Sequence, residues 1–191
     1  MSDYVAHVRA AVNGVGGDVV LVGHSMGGLV TQIVLEEQSV HHGVLVASVP
    51  RKGVGGALAR LVKADGHQVF EATKSLSLWA MVANDDRVRG HFFKVGVSEE
   101  TVKAAAAKMQ NESLLAFAAM IARWPRANNV TSPMTVVAAT HDSIFTLAEQ
   151  EDLAGAYDVP LIEIDCGHDI MLESQHVELV DIIVARANAS R

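Results

Sequence analysis

The chain has 191 residues, half of them hydrophobic and 19% charged, and carries a formal net charge of −7. This is one domain's length with enough apolar material for a packed core, which excludes a disordered chain. The acidic balance argues against a nucleic-acid partner, and the single cysteine, Cys166, argues against a disulfide framework or a cysteine-rich zinc site.

Ser2 to Asn13 reads as a helix capped by Ser2, with Val5, Val8 and Val12 on one side and Gly14 as its stop. After the Gly14 to Gly17 turn, the apolar run Val19 to Val22 reads as a buried strand. Gly23-His24-Ser25-Met26-Gly27 stands directly behind it, followed by a helix, Gly28 to Glu37, that presents Leu29, Ile33 and Val34 inward. A G-x-S-x-G sequence between strand and helix is a setting in which a sharp turn lifts a serine hydroxyl clear of the backbone. The hydroxyl then becomes a useful nucleophile if a histidine can take its proton. The glycines are expected to allow unusual backbone angles and close packing. His41 and His42 are adjacent, so they point in different directions, and a solvated turn is expected there in place of a metal site. Gly43 to Ser48 is a second buried strand, rich in valine, and Pro50 closes the first half.

From Arg51 to Pro125 strand-like runs vanish. Helical stretches are expected at Leu76 to Val82, at Ser98 to Gln110 with Ser98 as cap, and at Glu112 to Trp124. Gly53, Gly55 and Gly56 make the entry pliable. Eight of the fifteen Lys and Arg lie between Arg51 and Lys94, a locally basic stretch read as solvated surface.

The last third returns to alternating elements. The strands are Met134 to Ala139, ending in Thr140-His141-Asp142, and Leu161 to Ile164, ending in Asp165-Cys166-Gly167-His168-Asp169. The helices are Thr146 to Tyr157 and Ser174 to Ala187, the latter packing through Val177, Val180, Ile183 and Val184. Strands alternating with helices imply parallel pairing with helices on the sheet faces, an α/β fold. An acid just past one strand and a histidine just past the next give the order Ser25, Asp142, His168. Asp142 also suits the N-terminus of the segment starting near Ile144. Asp165 and Asp169 are alternative acids, less favoured because they lie so close to His168 in sequence. His24 and His141 are read as structural hydrogen-bonding groups.

Val-Gly-His-Ser-Met-Gly-Gly around Ser25, Ala-Thr-His-Asp-Ser-Ile-Phe around Asp142 and Cys-Gly-His-Asp-Ile-Met-Leu-Glu around His168 resemble the nucleophile elbow, acid loop and histidine loop of the α/β-hydrolase family. The resemblance covers the chain except about Arg51 to Pro125. It implies a core of residues 1–50 and 126–191 and a helical cap, 51–125, over the active site. It implies Ser25 as nucleophile, His168 as base and then acid, Asp142 as the residue that orients it, and Met26 as donor of an oxyanion N–H. Trp79 and Phe92, in the implied cap, are expected to contact substrate. No cofactor or metal is implied. The expected reaction is cleavage of a small-molecule carboxylic ester or thioester. A non-catalytic binding protein and a hydroxynitrile-type lyase are the alternatives.

The family's upstream strands and oxyanion loop have no counterpart before Ser25, so a partial α/β-hydrolase fold is expected, with Val19 to Val22 at a sheet edge. Such an edge invites pairing with another copy, a homodimer. No apolar run approaches the ~20 residues of a membrane-spanning helix. The first residues lack a basic start and apolar signal core, and with one cysteine this points to a cytoplasmic protein.

Overall fold

The computed structural model describes residues 1–189 except Leu76, Ser113 and Arg123, with backbone alone described at residues 65, 68, 114, 115 and 122. The predicted strands appear as β1 (Val20–His24), β2 (His42–Val46), β3 (Met134–Ala139) and β4 (Leu161–Ile164). All neighbouring pairs are parallel, and the order across the sheet is β1-β2-β3-β4. The helices are α1 (Ser2–Val15), α2 (Met26–Glu37), α3 (Gly55–Ser75), α4 (Asp85–Phe92), α5 (Glu99–Ala106), α6 (Leu114–Ala122), α7 (Leu147–Tyr157) and α8 (His176–Ala187).

β2 and β3 are buried along their whole length, which is why they read as unbroken apolar runs. Their side chains alternate between two helical layers. Val44, Val46, Val137, Ala139 and Ile164 meet Leu179 of α8, while Leu45, Met134 and Val136 meet Leu35 of α2 and Leu153 and Ala154 of α7. A third cluster joins Val5 of α1 and Leu29 and Ile33 of α2 to Val54, Ala57, Met120 and Phe145. β1 lies at the sheet edge as expected, with Val22 40% exposed.

Local chemistry explains the helix starts. Thr146 and Glu149 form a reciprocal capping box at α7, and Ser98 accepts from the Thr101 amide at α5; each such cap contributes about 1 kcal/mol. Ser2, by contrast, does not cap α1. Met1 holds that position, and the helix runs through Gly14 to end at Gly16, whose φ is 66°. The residues 78–81 form a 3-10 turn in place of the expected helix, whose first residue, Leu76, lies outside the described residues. Ser113 and Arg123, within the expected helix at 112–124, lie outside them as well. α3 and α4 were not legible: Gly55, Gly56 and Gly66 dilute the first, and the second is short and mostly polar, with only Val88 and Phe92 apolar, and is defined by its Asn84 cap.

Two readings need correction. α8 packs through Leu179, Ile182 and Ile183, leaving Val177, Val180 and Val184 about half exposed. The helix is apolar on two faces, and the sheet takes the face with the larger side chains, which removes more area from water. His41 and His42 are buried and not in a solvated turn. His42 opens β2, its Nε2 lies 3.0 Å from Thr135 Oγ1, and burial lowers its pKa.

Candidate active site

The turn between β1 and α2 places Ser25 at φ 52°, ψ −119°. Left-handed backbone at a non-glycine residue costs about 1–3 kcal/mol and persists only where the surroundings impose it. Here they do. The Ser25 carbonyl accepts from the Gly28 and Val49 amides, and its own amide donates to the Val46 carbonyl. Val49 is held in turn by a buried network in which Gln32 Nε2 donates to Ser48 Oγ and the Val49 carbonyl, and Gln150 bonds both backbone groups of Ser48. The unusual angles thus fall on the serine, not on the glycines. A Cβ at Gly23 would strike Thr31 and the Gly27 carbonyl, and one at Gly28 would strike Ser48, whereas Gly27 has open space. The Ser25 side chain makes no capping bond to α2 although a serine at that position ordinarily does. Met26 is the first residue of α2, where an amide has no partner within the helix.

Asp142 follows β3, and its Oδ1 accepts from the amides of Ile144 (2.7 Å) and Phe145 (3.0 Å). No helix starts near Ile144, since α7 begins at Leu147 with Thr146 as its cap, so these bonds close a turn of the loop in place of the helix cap expected from sequence. They occupy one oxygen and leave the other for His168. Oδ2 lies 2.8 Å from His168 Nδ1, and both side chains are 1% exposed. Fixing Nδ1 against a carboxylate leaves Nε2 as the ring's free nitrogen, the arrangement a general base needs. The alternative acids are elsewhere. Asp165 is exposed between Lys94 and His141, and Asp169 faces His24.

His24, next to Ser25, ties the elbow to the histidine loop: its Nε2 lies 3.0 Å from the His168 carbonyl oxygen, and the two rings are 4.7 Å apart. Ligand atoms of His24, His168 and Asp169 lie within 4.8 Å of one another, the described residues best placed to hold a cation. Burial, then the neighbouring His168 charge, pushes His24 down to about 4, and burial pushes Asp169 up to about 6, with the Asp142 and Glu173 charges adding to it.

The signs of these two shifts oppose. With a folded pKa near 4 against 6.5 unfolded, His24 costs stability as pH falls from 6.5 towards 4. With a folded pKa near 6 against 3.8, Asp169 costs stability as pH rises through that window. They nearly cancel between pH 4 and 6. Asp169→Asn removes one side of the balance, so its stability is expected to fall on acidification below 6.5 more steeply than that of wild type. Urea titrations at several pH values check this; parallel wild-type and variant curves would contradict it.

Phe92, at the end of α4, has its ring 6.0 Å from that of His168, and Phe145 stands 5.6 Å away on another side. Trp79 is on the 3-10 turn, 44% exposed, and among the described residues makes no ring contact with His168. Two surface clefts of about 480 and 430 Å³ lie away from this cluster, one lined by α1 and α2, the other by α5 and Leu172. Sequence reasoning missed Glu173, a buried acid whose Oε1 accepts from the Gly167 and Lys94 amides. No local pattern marks it: Glu173 ends the short apolar run Ile170-Met171-Leu172 and is followed by Ser174, Gln175 and His176.

The family model described as "Alpha/beta hydrolase family" matches residues 1–182. The chain belongs to the alpha/beta hydrolase family. No curated protein sequence matches it significantly. Among solved structures it is similar to an enol-lactonase from Burkholderia xenovorans, at 19% identity and a TM-score of 0.69, covering 97% of this chain and 73% of that one. It is also similar to a monoacylglycerol lipase from Paleococcus ferrophilus, at 18% identity and a TM-score of 0.67, covering 99% and 76%. An esterase from Thermogutta terrifontis aligns at 17% identity and a TM-score of 0.62, covering 92% and 68%. At such identities these alpha/beta hydrolases share the fold, here with a four-stranded parallel sheet. Among the described residues no helix is long and apolar enough to cross a membrane.

Proposed function

We propose that this alpha/beta hydrolase cleaves small carboxylic esters or thioesters through an acyl-enzyme, with Ser25 as nucleophile, His168 as base and Asp142 as its orienting acid. One observation carries the reading: a fully buried His168–Asp142 pair stands beside a turn that holds its serine in a left-handed conformation, free of its own helix cap. Family membership and the esterase and lipase among the similar structures support the hydrolase class.

In this reading His168 Nε2 takes the Ser25 proton as Oγ attacks the carbonyl carbon, and the imidazolium is stabilised by Asp142. The Met26 amide donates to the developing oxyanion. His168 returns the proton to the leaving alcohol or thiol, and a water repeats the sequence to release the acid. Phe92 lines the acyl site, and residues 51–125 form a cap over it. The support for a substrate contact by Trp79 is its exposure alone. The expected result with a p-nitrophenyl ester is a burst of one equivalent of phenolate, and with a fluorophosphonate probe a single label on Ser25. Absence of both would sink the proposal; slow cleavage of a cyanohydrin without a burst would favour a lyase.

The edge position of β1 and, separately, the exposed valines of α8 support a homodimer. Light scattering after size exclusion should give twice the 20.3 kDa chain mass. A clean monomer would show that the edge is tolerated bare.

A further inference from the structure

The backbone around His168 is held at three consecutive residues. The Gly167 amide donates to Glu173 Oε1 at 2.9 Å, the His168 carbonyl meets His24 Nε2, and the Asp169 amide donates to the Phe92 carbonyl at 2.9 Å. Two of these anchors converge on the end of α4. Glu173 Oε1 also accepts from the Lys94 amide at 2.9 Å, so one buried oxygen joins the histidine loop to the segment leaving that helix. The last turn of α4 itself reaches the acid loop: Ser143 Oγ donates to the carbonyls of Gly90 (3.0 Å) and His91 (2.8 Å).

The approach is close enough to constrain the sequence. A Cβ at Gly167 would lie 2.5 Å from the Lys94 nitrogen, 2.6 Å from the Phe93 carbonyl carbon and 2.8 Å from Glu173 Oε1. Burying a carboxylate is costly unless its oxygens are bonded, and bonds from N–H to an ionised oxygen are stronger than neutral ones. Glu173 is therefore suited to hold two amides of separate loops in fixed register.

We propose that Glu173 is a positioning residue for His168, and that with residues 90–94 it braces the 51–125 segment against both loops so that the imidazole keeps its place between Asp142 and Ser25. The proposal rests on the Ser25–His168–Asp142 reading given above. It also makes this part of the insertion a fixed wall of the site, joined to the core at its catalytic end.

The test measures fluorophosphonate labelling at Ser25 and ester turnover, each normalised to folded protein by circular dichroism. Glu173→Ala is expected to lower the labelling rate and kcat by about 10²-fold, the scale set by small misplacements of a reacting group. KM should change little. Glu173→Gln keeps the Oε1 acceptor and is expected to recover most of the loss. If Glu173→Ala does not fold, Glu173→Asp, one methylene too short to reach both amides, takes its place with the same expectation. In wild type, the Gly167 and Lys94 amide protons, both outside regular elements, should exchange as slowly as those of β3. Fast exchange of both, or equal labelling rates for wild type and variant, would overturn the proposal while leaving the triad reading intact. Failure of wild type to label would sink that reading and this inference together.

Discussion

Ser25→Ala is expected to reduce ester turnover to background, a loss of about 10⁶-fold in an efficient enzyme of this mechanism, and to remove the fluorophosphonate label. The reason lies in the elbow. The turn holds the serine at φ 52° through three backbone bonds while leaving its side chain uncommitted to the helix behind it. Loss of the hydroxyl should therefore change folding stability by no more than about 0.5 kcal/mol. Ser25→Gly should be as inactive but more stable, by about 1 kcal/mol, because glycine adopts positive φ without the Cβ penalty. Thermal melts and labelling of the three proteins decide it. A labelled Ser25→Ala protein would remove Ser25 from the mechanism.

Asp142→Asn is expected to lower kcat by about 10⁴-fold with the fold preserved. Asn retains the oxygen that accepts from the Ile144 and Phe145 amides, so the loop should keep its shape. What changes is the atom 2.8 Å from His168 Nδ1. An amide NH₂ there demands an acceptor at Nδ1, which forces the proton onto Nε2, where the base should be free. Steady-state kinetics with a circular-dichroism melt separate this from unfolding. If Asp169→Asn proves as damaging to kcat, the orienting acid is misassigned.

The strands, their parallel pairing and the three candidate residues were legible because each rests on a strong local signal. Apolar runs rich in β-branched residues mark the strands, and the candidate groups stand shortly past strand ends. The order Ser25, Asp142, His168 needed no tertiary knowledge. Glu173 was not legible, because its partners are backbone amides at Gly167 and Lys94, and no sequence pattern marks an amide seventy-nine positions away. The strained angle at Ser25 escaped for a similar reason: besides the nearby Gly28, it is imposed by Val46 and Val49, held by a network that reaches Ser48 and Gln150, all more than twenty residues away. The face of α8 was misread because periodicity fits two stripes on that helix, and only the sheet selects between them.

The way β2 and β3 are joined has a consequence for how the molecule is made. Their pairing, Val44 with Thr135, closes a loop of about 90 residues, whereas β1–β2 and β3–β4 each close through a single helix. Loop closure carries an entropic penalty that is met before the contacts form, and long-range parallel pairing is slow. The chain is therefore expected to fold as two quick βαβ halves, one holding Ser25 and the other holding Asp142 and His168, that meet late. Stopped-flow refolding should show secondary structure gained well before the capacity to react at Ser25, and simultaneous recovery of both would contradict that order. Until the halves meet, a newly synthesised chain would hold the proposed nucleophile in one half and its proposed base in the other.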